Sequence, residues 1–538
     1  MAQRERQVRM YNLHSWSGMV LGLFVYLVSF TGCFALFHDE LTSWEDPAGR
    51  LQLAEEPALI NETFSDWVEA QVSEGRLTFL DLTYPSTLAP YYAARANIVP
   101  EEGETVFHRA RWSSLDASSV PVGRNDLSTW LYDLHRDLMW PDALGGRQMG
   151  LIIVGIAGIV LSLSILTGII AHTKIVQDFH TLRYNRSVRL RWQDSHKTIG
   201  LWGLPFFIMI AATGTVLGFL RILIGFAAIF IFEGDQQALF QEVAPQAFVI
   251  PAGVEAQIIS VDDVARMAHP SSDIFPRSVR IENWGDQNAR FNLDYTPIGE
   301  LKTTDLIAIS GVDGTLQAEV GELFNAPAFR VQNAINGLHY GTYGGVWLKL
   351  LYFALGLMLA LIIALGSMMW LERRLHGNEG RRSESLYRAL SRITIGVTLG
   401  LPLATATVFH ADKLLLSGSE SQIVTLGWIY FCSLFAAIIF SFLRRQDYRA
   451  TVELLSLVGA LCLLLPLSNT ITTGDIFLRD LGDNFKAYAL VDSIAVLLGA
   501  GLVFAAAKIP RKRPAGKRSG VKESASPSDN IMPQQNRI

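Results

Sequence analysis

The sequence predicts a polytopic α-helical membrane protein: about eight spanning helices, a duplicated four-helix core, and two small α+β domains outside the bilayer. Three observations predict it. Half of the 538 residues are hydrophobic, little more than in a soluble protein, but they gather into runs long enough to cross a hydrocarbon layer of roughly 30 Å. Two of these runs open on one spacing: His14-Ser-Trp-Ser-Gly18 leads to Thr31-Gly32, and His196-Lys-Thr-Ile-Gly200 leads to Thr213-Gly214. In each copy the glycine follows the histidine by four positions and Thr-Gly follows by seventeen and eighteen. Finally, two long polar segments at 38–147 and 234–345 follow the first and third runs, each too long for a simple connection.

The runs lie at about 16–37, 149–171, 199–219, 346–370, 393–409, 423–442, 451–467 and 487–507. They divide the chain into an N-terminus with the first span (1–37), an outer domain (38–147), and the second and third spans around a basic loop (148–233). A second outer domain (234–345), the fourth span (346–372), a loop with the last four spans (373–507) and a tail (508–538) follow. The first run sits behind Arg4, Arg6 and Arg9 and has no small-residue cleavage site, so it is expected to remain as a helix. Alternate loops collect the basic residues, such as Arg189 and Arg191, Arg373 and Arg374, and Arg444 and Arg445, so both termini are expected in the cytoplasm. The net charge of -5 hides this asymmetry. Retention on the positive-inside face explains the basic clusters without a nucleic-acid partner. Cys33, Cys432 and Cys462 all fall within predicted spans, with no CxxC among them, which speaks against disulfides and thiolate clusters.

In the second outer domain Ser260 caps a helix, and strand-like Ser278-Val-Arg-Ile-Glu, Ala289-Arg-Phe-Asn-Leu-Asp-Tyr and Leu306-Ile-Ala-Ile-Ser follow it. The first domain echoes this with a helix at Phe64-Ser-Asp-Trp-Val and a strand at Leu77-Thr-Phe-Leu-Asp-Leu. Each domain ends in Leu-His before the next span, at Leu134-His135 and Leu338-His339. The repeat is therefore histidine, helix, outer domain, Leu-His, helix, and two spans per copy give both copies one orientation, related by a two-fold axis along the membrane normal. The tail is rich in Lys, Arg, Ser and Pro and reads as disordered.

Such an axis sets His14 opposite His196 near the cytoplasmic surface and His135 opposite His339 near the outer one. Opposed imidazoles suit a bis-histidine site, and a four-helix core accommodates a flat haem between them, so two b-type haems are expected, with Arg136 and Lys197 as partners for their propionates. A single histidine at a helix end is more often interfacial than a ligand; four on duplicated spacing reverse that weighting. His38 and His172 are weaker candidates, His108, His180, His269 and His376 read as solvated, and His410 has no visible partner. Asp492 and Glu453 are intramembrane acids with no assigned role. Gly18 with Gly22, and Gly155 with Gly158, allow close helix approach. No GxGxxG turn, phosphate loop or flavin-sized cytoplasmic segment is present, so electrons would come from a separate flavoprotein or a membrane quinol.

The ordered set His14-x-x-x-Gly18 with Ser29-Phe-Thr-Gly32, Leu134-His135-Arg-Asp-Leu138, Ser195-His196-x-x-x-Gly200-Leu-Trp with Thr213-Gly214, and Leu338-His339-Tyr-Gly-Thr-x-Gly-Gly345 resembles the PepSY-associated TM-helix family of iron-regulated inner-membrane proteins, which includes ferrisiderophore reductases. The resemblance spans about 10–372. It implies a haem-bearing four-helix core, PepSY-type domains in the periplasm, a bacterial inner-membrane location, and electron delivery to ferric siderophores or other ferric chelates. The chain departs from that pattern by four further helices and by a first outer domain that matches PepSY poorly. Two other readings compete: a metal- or proton-coupled transporter, and a membrane-anchored binding or regulatory module.

Overall fold

Helices α1 (Ala2–Val20) and α2 (Gly22–Ala35) meet at a 65° bend and together are long and apolar enough for one crossing, and seven further helices among the described residues are long and apolar enough to make others. The chain is a multi-pass helical membrane protein. The structure, a computed structural model, describes residues 2–172, 188–235, 238–239, 249–267, 275–295, 301, 305–317, 326–375, 383–415, 422–477, 479 and 487–509. His180, His269, His376 and nearly all of the 508–538 tail lie outside them.

The core crossings are α2, α6 (Gly146–Ala171), α8 (Leu204–Phe230) and α11 (Gly345–Leu375). The duplication extends to where the helices break. Residue 21 separates α1 from α2, and residue 203 separates α7 (Val188–Trp202) from α8, in each case seven positions after the histidine. Pro205 favours the second break, because a proline in the first turn lacks only an N–H that the helix leaves unpaired there. α6 packs on α8 and α11 on α2, an exchange that maps each pair onto the other. Glycine makes the α6–α8 approach possible: a Cβ on Gly155 would stand 3.2 Å from the Gly218 Cα, and one on Gly158 would stand 2.5 Å from the Thr215 hydroxyl.

Between α2 and α6 the chain forms α3 (His38–Glu45), α4 (Asn61–Val72), three strands and α5 (Asp126–Asp137). Between α8 and α11 it forms α9 (Val261–Met267), three strands and α10 (Pro327–Tyr340). The sequence suggests two separate outer domains; the structure joins them. β1 (Arg76–Thr83), β2 (Tyr91–Val99) and β3 (Val106–Ser113) share one antiparallel sheet with β4 (Ser278–Glu282), β5 (Arg290–Tyr295) and β6 (Asp305–Ser310), in the order β3-β2-β1-β4-β5-β6. Either half alone would leave its first strand as a bare edge, and pairing β1 with β4 satisfies both. The order is symmetric about that pair, so the duplication of the bundle runs on into the sheet. Helices α4 and α9 cover one face over a shared core containing Phe64, Leu80, Val264, Val279 and Phe291. Their starts interlock: Ile60 and Asn61 N–H donate to the Asp262 carboxylate at 3.0 and 2.9 Å, and Val261 N–H donates to Asn61 Oδ1 at 2.9 Å.

The remaining helices, α12 (Glu384–Leu414), α13 (Ile423–Leu443), α14 (Asp447–Thr473) and α15 (Ala487–Lys508), stand beside the first repeat. α12 packs on α11 and α2, and one core unites Tyr26, Phe30, Trp44, Trp130, Leu401 and Tyr430. Partners invisible in the sequence emerge here. Trp44 and Asn469 both donate to Asp492, Glu453 pairs with Arg444, and His410 has one ring nitrogen on Ser468 and the other on the Leu461 carbonyl.

Candidate functional site

The four repeated histidines form two pairs, one at each end of the core bundle. At the end away from the sheet, His14 on α1 faces His196 on α7 with ring centroids 6.2 Å apart and planes crossed at 72°. At the sheet end, His135 on α5 faces His339 on α10, also at 6.2 Å but with planes only 15° apart. Two metal–nitrogen bonds of about 2.0–2.1 Å, with about 1.1 Å from each nitrogen to its ring centre, put imidazoles on one metal axis roughly 6.3 Å apart. Both pairs stand at that spacing.

Each ring has its Nδ1 engaged by a neighbouring crossing. His14 Nδ1 lies 2.9 Å from the Ser164 carbonyl on α6, and His196 Nδ1 lies 2.9 Å from the Ile362 carbonyl on α11. His135 Nδ1 lies 3.0 Å from the Val28 carbonyl on α2. His339 Nδ1 is 3.0 Å from the Thr213 hydroxyl on α8, which accepts because it donates its own proton to the Met209 carbonyl. Carbonyls can only accept, so Nδ1 carries the proton and leaves a lone pair on Nε2, the tautomer of a metal-ligating histidine with an oriented second nitrogen. His135 and His339 lie outside the spanning segments. Burial lowers the pKa of His135, and burial followed by His135 takes His339 down to about 3, which keeps both rings neutral.

The glycines explain how the carbonyls become reachable. A helical carbonyl uses one lone pair on the N–H four residues on, and the side chain at that later position shields the other. Three of the four acceptors are followed at that interval by glycine: Val28 by Gly32, Ser164 by Gly168, and Ile362 by Gly366. A Cβ would fall 2.8 Å from the His135 ring at Gly32, 3.2 Å from His14 at Gly168 and 3.1 Å from His196 at Gly366. Gly214 faces His339 likewise at 3.2 Å, with Thr213 interposed as the acceptor. Thr31-Gly32 and Thr213-Gly214 stand out in the sequence, but Gly168 and Gly366 are found only by laying all four core helices side by side. Thr167-Gly168 then matches directly, and Gly366-Ser367 matches in reverse order.

A cavity of about 1140 Å³ surrounds His14 and His196 and reaches Gly168, His172, Gly366, Arg373 and Arg374, somewhat above the roughly 300–1,000 Å³ of usual cofactor pockets. Lys197 lines this cavity, 3.6 Å from Asp194. Arg136 is engaged otherwise, bridging Asp133 at 2.8 Å and Asp137 at 2.6 Å at the sheet end. His38 meets Tyr132, one turn before His135, edge to face. His108 sits on β3 beside Glu74, away from both pairs. Among the described residues no three His, Cys, Asp or Glu side chains gather as a metal cage. Each pair could therefore offer a metal two nitrogens and no third side-chain ligand among the described residues.

A family model for the PepSY-associated TM region matches residues 11–373, more than half of the chain and all four paired histidines. The chain belongs to that family. The match ends near the close of α11, so this PepSY-associated TM protein carries α12–α15 beyond it. It is also similar to an uncharacterized protein of Pseudomonas aeruginosa, 24% identical over an alignment of 331 residues that covers 58% of this chain and 81% of that one.

Proposed function

We propose that this protein is a two-haem, b-type oxidoreductase of a bacterial inner membrane that passes electrons from a cytoplasmic flavoprotein or a quinol to ferric chelates, siderophores foremost, at its sheet end. The observation carrying this reading is the repeated geometry: two imidazole pairs at 6.2 Å, every Nδ1 tied, every ring beside a glycine. A zinc centre wants three or four protein ligands, whereas a porphyrin brings four equatorial nitrogens and asks the protein for two axial ones. His14 with His196, and His135 with His339, would hold one macrocycle each. Lys197, Arg373 and Arg374 line the first cavity as cations for its propionates. Bound there, haem supplies one-electron transfer at each end of the bundle.

The residues of the chain supply position and insulation. Along α8 the cavity reaches Phe207, while His339 sits against Thr213 and Gly214, a separation of roughly 10 Å of helix rise. Val25, Leu161, Phe207 and Leu359 line the cavity on that side and pack with Ala157 and Ala211 into an apolar cluster. Basic residues at the far end, including Arg9, Arg191, Arg373 and Arg374, favour the cytoplasm for His14 and His196 and the periplasm for the sheet. The substrate iron gains one electron; as ferrous ion it binds hard oxygen donors less tightly and leaves the chelate.

Purified protein should show split α and β bands on dithionite reduction, with two haems per chain. Anaerobic mixing of the reduced protein with ferric siderophores should then reoxidise it. Colourless protein removes the haem reading. Haem that no chelate in a panel reoxidises removes the reductase reading and leaves a transporter or a binding module.

A further inference from the structure

Among the described residues, helix α5, which carries His135, makes a set of contacts with the C-terminal helices that is not matched at α10, which carries His339. The N-terminus of α5 has no cap of its own, since Asn125 makes no side-chain capping bond. Glu45, from α3, caps it instead: its carboxylate accepts the Leu127 and Ser128 N–H groups at 2.8 and 3.1 Å, where the helix dipole favours an anion. From α12, Asp412 accepts Arg124 at 2.9 Å just before that helix, and the Gln422 N–H ahead of α13 donates to Asp126 at 3.2 Å. One turn on, Trp130 lies against Tyr430 of α13 with centroids 4.8 Å apart and packs beside Gly427. The α3 end is fastened to the same unit. Lys413 donates to the Trp44 carbonyl at 2.6 Å, Trp44 donates to Asp492 at 3.0 Å, and Arg50 pairs with Asp475. Helix α10 packs on α8 and, through Phe329, beside Leu306 and Ala308 of edge strand β6.

We propose that α12–α15 act as a clamp that fixes α5, and so the His135 imidazole, with Glu45, Arg124 and Asp412 as positioning residues. This rests on the haem reading for its consequence but not for its mechanics. The clamp makes one ligand of the sheet-end pair rigid by holding its helix, and it places ionisable groups at the start of α5, roughly 12 Å of helix rise before His135. Glu45 is surrounded by Asp412 and Lys413 of α12 and by Arg124, with Arg50, Asp126 and Asp492 beyond them. Burial, and then Asp412, raise its carboxyl to about 7 against the pull of the two N–H groups and Arg124. It is neutral below that pH and charged above it, so an electron arriving nearby is disfavoured as the pH rises through about 7.

The test uses full-length Glu45→Gln and Asp412→Asn, read by hydrogen exchange and by redox titration of the two haems. Exchange should quicken at Leu127 and Ser128 but not along α10. The sheet-end midpoint potential should fall as pH rises through 7 in the parent protein and lose that slope in Glu45→Gln, while the His14–His196 site stays unchanged and reports intact folding. If Asp412→Asn fails to accumulate, Gly427→Leu crowds Trp130 without touching a charge and should produce the same exchange signature. Parent-like exchange in α5 together with a parent-like sheet-end midpoint would overturn the clamp. A parent protein without haem would sink the proposed function alone, since exchange still decides whether α5 is clamped.

Discussion

The two histidine pairs share their local geometry and differ in their surroundings. Both hold ring centroids at 6.2 Å and both place each ring against a glycine of a core helix, yet one pair is crossed at 72° beside a wide cavity and the other is near parallel at 15° beneath the sheet. Duplication has kept what a ligand needs locally: a neutral ring, an acceptor for Nδ1, and room for close approach. It has not kept what the rest of the chain imposes. The additional four-helix unit packs on α11 of the second repeat and on α2, α3 and α5 of the first, so α5 and α10 are equivalent by descent and unequal in how they are held.

The largest test of that comparison removes one ring at a time. His14→Ala or His196→Ala should abolish the site away from the sheet and leave the other, cutting haem content by about half if each pair takes one macrocycle. His135→Ala or His339→Ala should do the converse. Gly366→Leu and Gly32→Leu should reproduce the same division without removing a ligand, because each places a side chain where an imidazole now lies. Haem counting and difference spectra check both series. Equal loss of both haems from every variant would mean damage to the fold and would leave the pairing unsupported.

The histidine half of this arrangement is legible in the sequence because a helix repeats its neighbours at fixed intervals, so His14 and His196 announce themselves through Gly18, Gly200 and the two Thr-Gly steps. The acceptor half is not. Ser164 and Ile362 contribute only a main-chain carbonyl, which any residue can offer, and Gly168 and Gly366 sit among glycines that membrane helices use for packing. The crossings were legible because hydrocarbon demands long apolar runs. The single sheet was not, because the β1–β4 pairing joins strands nearly two hundred positions apart, and β2 and β3 alternate too weakly to be read beforehand. The clamp was hidden for a similar reason: Asp492 and Asp412 find partners in Trp44 and Arg124, far earlier in the chain.

A smaller effect separates the acceptors. Thr213 accepts directly from His339, whereas Thr31 only bonds its own helix at the Leu27 and Val28 carbonyls and leaves His135 to Val28. Thr213→Val should therefore strip His339 of its orienting partner and weaken haem binding at the sheet end by about 10–100-fold, the usual scale for losing such a contact. Thr31→Val should leave that affinity nearly unchanged. Haem-transfer kinetics to a scavenger measure both. Matching losses in the two variants would mean that the threonines act through helix packing rather than through the histidine.

The smallest difference is read first in the parent protein. Low-spin ferric haem with two axial imidazoles has electron-spin resonance g values that follow the angle between the ligand planes, because each ring's π orbitals split the iron d levels along its own direction. Crossed rings leave the levels nearly degenerate and give a strongly anisotropic signal; parallel rings split them and give an ordinary rhombic one. With planes at 72° and 15°, the oxidised protein should show one signal of each kind. The anisotropic signal should vanish with His14 or His196 and the rhombic one with His135 or His339. Two identical signals would mean that the rings reorient when haem binds, and that the surroundings of the two pairs do not set their planes.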